Sequence, residues 1–299
     1  MPISALALSE TTHLKISGPD VRKFLQGQFT CDINDVSANQ TRLAAHCSPQ
    51  GRMLALGRLY QYGDGIYFSL PTSIATTCMQ NLKPYAMFSK TSLTEAPLHS
   101  IGIMGDEART ALSTLINLPE LPDTCVVHES LLIIKVRGNP ERYEIIGPAE
   151  SLSRFTNSLG LKIESNAALW WQADIEAGQA FLCPETLGKF LPHDIQLPEN
   201  NGVSYTKGCY IGQEIIARMH YLGKLKKQLW LISLLSKDLP QAGLKILDTD
   251  NKAQAELICV AATENESYLG LAIFNQAPQA NAYLLENHSG SISLIHAIG

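Results

Sequence analysis

Along the first half of the chain, short β-like apolar runs alternate with stretches where apolar residues recur at helical spacing behind a glycine or proline. "LKISGPDVRKFL" (Leu14 to Leu25) lines up with "IGIMGDEARTAL" (Ile101 to Leu112), matching Ile16 with Ile103, Gly18 with Gly105, Arg22 with Arg109 and Leu25 with Leu112. Each reads as a strand, a glycine turn and an amphipathic helix. Further on, "GIYFSLPTSIATTCMQNL" and "RYEIIGPAESLSRFTNSL" both read as a strand, a proline-marked turn and a helix. The shared order predicts an internal duplication: two related α+β halves, each with helices on one face of a mainly antiparallel sheet. From Lys227 onward, "QLWLISLL", "GLKILD", "AELICVAA", "YLGLAIFN", "AYLLE" and "SISLIHAI" are strand-like runs separated by Pro, Gly, Asn and Asp. They predict a small antiparallel β-barrel or sandwich at the C-terminal end.

At 299 residues, with 45% hydrophobic and 17% charged, the chain is large enough for two or three packed domains. A net charge of −5 gives no general attraction to nucleic acid or to anionic membrane. With no long apolar span and no basic segment leading an apolar run near residue 1, a soluble cytoplasmic protein is expected. Seven scattered cysteines, an odd number, fit reduced thiols better than a disulfide framework. Lys224, Lys226 and Lys227, at the boundary before the last strands, read as a solvated face or as an attraction for an anionic ligand tail.

No P-loop, G-x-G-x-x-G, C-x-x-C or H-E-x-x-H pattern occurs, which removes support for ATP hydrolysis, nicotinamide binding and a dedicated zinc site. His46 and Cys47 are adjacent, so on a strand they point to opposite faces and make a poor catalytic or metal pair. Cys183 and His193 lie in a proline-punctuated stretch that reads as a binding loop or as irregular surface. In "WWQADIEAGQAF", Leu169, Ala173 and Ala177 share one helical face, and Glu176 comes just before Gly178, a helix stop. An acid at the negative end of a helix calls for a compensating partner.

"YTKGCYIGQEIIARMH" (Tyr205 to His220) carries the strongest chemical signal. Gly208 and Gly212 suit a tight turn or close backbone approach, and Ile211, Ile215, Ile216 and Met219 follow at helical spacing. Cys209 is thus expected at or just before a helix N-terminus, where free amides and the helix dipole favour negative charge and ready a thiol for chemistry. The plain alternative is a small half-buried thiol in a turn.

"KGCYIGQE" (Lys207 to Glu214), "DIEAG" (Asp174 to Gly178), "FLQGQFTCDI" (Phe24 to Ile33), "AAHCSPQGRM" (Ala44 to Met53) and "YAMFSK" (Tyr85 to Lys90) together resemble the bacterial YgfZ family of folate-binding proteins. These are relatives of the aminomethyltransferase, or T-protein, of glycine cleavage. The resemblance implies an α+β fold, with two related α+β domains of the aminomethyltransferase-like folate-binding fold followed by a small C-terminal antiparallel β-barrel. Residues 1–47 plus 165–226 would form the folate-binding domain, 48–164 the second and 227–299 the barrel. It also implies binding of tetrahydrofolate or a derivative, with iron–sulfur client or assembly proteins as partners, among them enzymes that thiolate tRNA.

By the same resemblance, Cys209 is the functional thiol with Lys207 beside it, and Glu176 binds the pterin ring, since a carboxylate can accept paired hydrogen bonds from its amide and amine. Tyr85, Gly208, Tyr210, Gly212, Gln213 and Glu214 complete the cofactor-binding set. The chain departs from the T-protein pattern at Ala55 and Leu56, which stand where those enzymes resemble one another in an acidic pair. Glycine cleavage is therefore not expected. A folate-dependent aminomethyltransferase-like one-carbon transferase is the alternative, and a cysteine-nucleophile enzyme unrelated to folate is a third reading.

Overall fold

The echoing segments fold alike. Strand Thr11–Ser17 leads into helix Val21–Gln28, and strand His99–Met104 into helix Ala108–Ser113. At the joints Gly18 and Gly105 take φ of +138° and +128°, where L side chains are strained. A Cβ at Gly18 would lie 2.2 Å from the Lys90 carbonyl oxygen, and one at Gly105 would lie 2.5 Å from that of Pro2. The second echo also holds: strand Gly65–Pro71 enters helix Thr72–Met87 and strand Arg142–Gly147 enters helix Ala149–Ser158, with Pro71 and Pro148 at the N-caps. Even the pairing corresponds, because Leu14 and Ile16 oppose Phe68 and Ile66 while Ile101 and Ile103 oppose Ile145 and Tyr143.

This computed structural model describes residues 2–223, 226–263, 266–279, 283–287 and 291–298. A five-stranded sheet runs in the order Arg42–Cys47, Met53–Tyr62, Gly65–Pro71, Thr11–Ser17, Ser92–Glu95. A six-stranded sheet runs Ile163–Glu164, Ser4–Ala7, His99–Met104, Arg142–Gly147, Leu131–Val136, Cys125–His128. Every neighbouring pair is antiparallel except Ser4–Ala7 with Ile163–Glu164. The first sheet therefore takes its strands from residues 11–95, and the N-terminal strand joins the second. An expected boundary between residues 47 and 48 falls inside the hairpin of Arg42–Cys47 and Met53–Tyr62, because the intervening Ser-Pro-Gln-Gly closes a turn rather than linking two domains.

Side-chain alternation explains the layering. Ile101, Ile103, Tyr143, Ile145, Leu131 and Ile133 form one core with Ala108, Leu112, Leu152 and Phe155 of the helices. The alternate positions Met104, Ile146, Leu132 and Ile134 pack with Tyr60 and Tyr67 of the other sheet. The two sheets thus face each other with helices outside, and their central strands are largely buried on both sides. At about 1.5 to 3 kcal/mol for each large aliphatic side chain buried, these facing layers are the main source of cohesion.

The C-terminal strands close as expected into a six-stranded barrel, in the order Gln228–Leu235, Ser267–Phe274, Ala253–Ala262, Lys245–Leu247, Tyr283–Leu285, Ser291–Ala297. Helix Ala168–Glu176 spans from the facing sheets to the barrel, where Gln172 Nε2 donates to the Ala262 carbonyl at 2.5 Å. No helix among the described residues is long and apolar enough to cross a membrane.

Candidate functional site

The Lys207–Glu214 segment divides into residues that build a turn and residues that the turn displays. The Lys207 ammonium donates to the carbonyls of Gln26, Phe29 and Cys31 at 2.8, 2.5 and 2.7 Å, which uses all three of its hydrogens. It also lies 4.6 Å from the centre of the Tyr210 ring. Burial lowers its pKa to about 8, opposed by Cys31 and Asp32. Lys207 therefore ties this turn to the end of helix Val21–Gln28. Tyr210 is buried, its hydroxyl without a partner among the described residues, and Gln213 accepts from the Tyr210 amide at 3.3 Å.

Gly212 takes φ of +82° as the N-cap of helix Gln213–Leu222. A Cβ there would stand 2.6 Å from the Ser48 carbonyl oxygen, so the hairpin turn before Met53 lies against this backbone. Tyr205 fixes the other side: its ring stacks on His220 at 3.8 Å and its hydroxyl meets His193 Nε2 at 3.0 Å. Gly208, Cys209 and Glu214 are left exposed. A Cβ at Gly208 would meet nothing within 4 Å, so the fold itself does not demand glycine there. Cys209 precedes the Gly212 N-cap and stands on the approach to the helix rather than in its first turn.

Between the facing sheets, helix Ala168–Glu176 and the stretch after it lies a cleft of about 130 Å³. Its apolar walls include Leu56, Leu70, Trp171 and Phe181, and its polar groups are Arg58, Ser69, Glu144, Asp174, Gln179 and Asn200. Most of the charged groups are matched. Arg58 Nη1 donates to Asp123 Oδ1 at 2.5 Å and to Thr41 Oγ1 at 2.8 Å. Arg142, wholly buried behind the cleft, reaches Asp174 at 2.6 Å, the Trp170 carbonyl at 3.2 Å and the Arg137 carbonyl at 2.8 Å. Burial raises the Asp174 pKa, while Arg142 pulls it down.

Glu176 is exposed, does not line this cleft and makes no side-chain hydrogen bond or ion pair among the described residues. Its neighbours do reach the cleft, because the helix ends on Gly178 (φ +69°), with the Gly178 amide on Ile175 O at 3.0 Å and the Gln179 amide on Asp174 O at 2.8 Å. Tyr85 is 44% exposed on a separate helix, away from the cleft walls. None of Lys207 to Glu214 lines the cleft, so the motif and the cavity are neighbouring features rather than one pocket. The chain connects them: Leu197 and Asn200 are in the cleft wall, and Gly202 and Ser204 are tied to Thr30 just before the exposed turn.

Leu56 lines the cleft and Ala55 is buried opposite His46, so both positions are apolar in the fold. His46 and Cys47 are buried too, His46 with Nδ1 3.1 Å from the Gln28 carbonyl. Lys227 pairs with Asp194 at 3.1 Å, and Lys224 lies outside the described residues. The sequence signal for the cleft is charge within a mostly apolar strand, as with Arg58 in "LALGRLY" and Arg142 and Glu144 in "RYEIIG". No family model matches the chain.

The fold is that of glycine cleavage aminomethyltransferases: the structure of aminomethyltransferase T from Bartonella henselae superposes with a TM-score of 0.72 at 13% identity, covering 98% of this chain and 85% of that one. Sequence relatives narrow the class. The tRNA-modifying protein YgfZ of Cronobacter sakazakii is 33% identical over 248 residues, 81% of this chain and 75% of that protein. That of Klebsiella pneumoniae is 29% identical over 301 residues, 98% of this chain and 92% of its own. The chain belongs to the YgfZ family.

Proposed function

We propose that this protein is a tetrahydrofolate-binding accessory factor for iron–sulfur cluster assembly or repair in the cytoplasm, supporting iron–sulfur enzymes that include tRNA-modifying ones, with Cys209 as its working thiol. The observation that carries this reading is the cleft. It combines apolar walls with a few convergent polar groups, the make-up of a small-molecule site. Leu56, Trp171 and Phe181 offer flat or aliphatic surface to a ring system, and Glu144, Gln179 and Asn200 offer hydrogen-bonding groups. The residues fit a folate. Bound tetrahydrofolate supplies a reduced pterin ring, rich in N–H donors.

Cys209 is the exposed thiol, at the edge of a turn held by Lys207 and Gly212. A cluster typically takes four protein ligands, and among the described residues no three His, Cys, Asp or Glu side chains are grouped for a metal. Contact between Cys209 and a client's iron would therefore be completed by side chains from that client. The test is complementation: cells lacking the protein, supplied with wild type or Cys209→Ser, are assayed for the activity of iron–sulfur enzymes. Wild type should restore activity and Cys209→Ser should not; full restoration by the serine variant would overturn the role of the thiol.

The aminomethyltransferase-like fold favours a second reading, one-carbon transfer on folate. The apolar pair Ala55 and Leu56 opposes it, because no acid or base stands there to move a proton. Purified protein given an aminomethyl-lipoyl carrier and tetrahydrofolate should form no methylenetetrahydrofolate. Multiple turnovers would replace the accessory-factor reading with this one.

A further inference from the structure

Glu144 leaves half of its carboxyl unused. It sits in strand Arg142–Gly147, lines the cleft and is 8% exposed. Burial raises its pKa, with Arg58 and the Ser100 hydroxyl opposing the rise and Asp174 adding to it. Neither nearby guanidinium pairs with it directly, since Arg58 is held by Asp123 and Arg142 by Asp174. Among the described residues the carboxyl accepts one hydrogen bond, from Ser100 Oγ to Oε1 at 2.8 Å. Among those residues no donor bonds Oε2. A buried carboxyl so poorly matched is costly unless something else supplies donors.

The Ser100 hydroxyl is itself the end of a directed chain. His13 Nε2 lies 3.0 Å from Ser100 Oγ and His13 Nδ1 lies 2.9 Å from the Tyr60 hydroxyl. Burial lowers the His13 pKa to about 4, so the ring is neutral, with one donor nitrogen and one acceptor. Because the Ser100 hydrogen goes to Glu144, Nε2 supplies the hydrogen between His13 and Ser100, and Nδ1 accepts from Tyr60. Every hydrogen in the chain points toward the carboxyl, which fixes Oε1 and leaves Oε2 to the cleft.

We propose that Glu144 accepts N–H hydrogen bonds from the ligand of the cleft, with Ser100, His13 and Tyr60 as positioning residues that hold its carboxyl in place. The inference rests on the folate reading and adds to it a recognition residue in the wall of the cleft, which Glu176 does not line. A reduced pterin, with ring and exocyclic N–H groups, presents the donors that the free oxygen lacks.

Titration calorimetry with tetrahydrofolate tests this on wild type, Glu144→Gln, Ser100→Ala and Ser100→Thr, with thermal melting run on each. Glu144→Gln keeps the shape and removes the charged acceptor, so it should bind on the order of tenfold or more weakly. Ser100→Ala should lose roughly threefold to tenfold and Ser100→Thr, which keeps the hydroxyl, should recover to within about twofold of wild type, in an order that melting temperatures do not follow. Wild-type affinity within about twofold in Glu144→Gln would overturn the proposal. If that variant does not fold, the serine pair decides, and unchanged affinity in Ser100→Ala overturns it. Absence of tetrahydrofolate binding by wild type would be a different result, removing the folate reading and this inference with it.

Discussion

Cysteine chemistry in this chain is sorted by surroundings. Cys31, Cys47, Cys78, Cys125 and Cys259 are buried and Cys183 is half-buried, whereas Cys209 is exposed. Burial pushes the thiols of Cys31, Cys78 and Cys259 up to about 12 and those of Cys125 and Cys183 up to about 11, and raises that of Cys47 as well. At pH 8 those six hold almost no thiolate, the form that alkylates. Iodoacetamide should therefore label Cys209 first, as read by peptide mass spectrometry over time; earlier labelling of another cysteine would contradict it. Beside it, Gly208→Ala should melt within about 1 °C of wild type, since a surface change that touches nothing is worth only about ±0.5 kcal/mol or less. Loss of complementation by that variant would show that the glycine serves an approaching partner. Glu176 gives the opposite kind of test. If it anchors the pterin as the family pattern implies, Glu176→Ala should cost on the order of 10-fold to 100-fold in tetrahydrofolate affinity by calorimetry, since hydrogen bonds to charged groups contribute about 1.5–3 kcal/mol. An exposed carboxylate with no ligand would leave the affinity unchanged.

At the scale of elements, strand His99–Met104 and helix Ala168–Glu176 fit closely together. A Cβ at Gly102 would fall 2.2 Å from the Trp170 indole, whose other neighbour is the Arg142 guanidinium at 4.8 Å. Gly102→Ala must push the indole off that packing and should destabilise by about 1–3 kcal/mol in urea unfolding, the usual cost of overfilling a core. Strand and helix order was legible in the sequence because apolar spacing records local geometry, and Gly18, Gly105, Pro71 and Pro148 mark the same joints in both halves. The KGCYIGQE turn was legible as a motif, but the division of labour within it was not. Lys207 looks catalytic by its place beside Cys209, yet its ammonium is consumed by carbonyls of a segment some 180 residues earlier in the chain. The cleft was hidden for the same reason: Arg58, Glu144 and Asp174 come together only when two sheets face each other. Leu169, read as sharing a helical face with Ala173 and Ala177, is 42% exposed, because Trp170, Ala173 and Ile175 are the side chains that face inward.

For the molecule as a whole, the contact between the sheets carries a pH dependence. His13, from the five-stranded sheet, is 1% exposed and joins Ser100 of the other sheet. Its pKa is lowered from 6.5 to about 4, chiefly by burial and then by His99. An unfolded chain takes up this proton as pH falls below 6.5, while the folded one resists until about 4, so the contribution is full above 6.5 and is lost between those values. The shift corresponds to about 3 kcal/mol at most. Urea unfolding of wild type and His13→Gln at pH 7.5 and pH 4.5 should show the wild-type advantage shrinking at the lower pH. Buried Glu144 and Asp174, whose pKa values are raised, act in the other sense.

Strand Ser4–Ala7 is made early and used late. Its partner, His99–Met104, follows only after the whole five-stranded sheet has been synthesised, and Leu6 pairs with Gly102 across that interval. At roughly 5–20 residues per second, a ribosome takes about 5–20 s to bridge the gap. During that time the leading residues emerge ahead of a sheet to which they do not belong, next to Thr11–Ser17, which does. Each newborn chain must therefore hold its first strand in reserve, and the second half of the molecule cannot be completed until it is handed over.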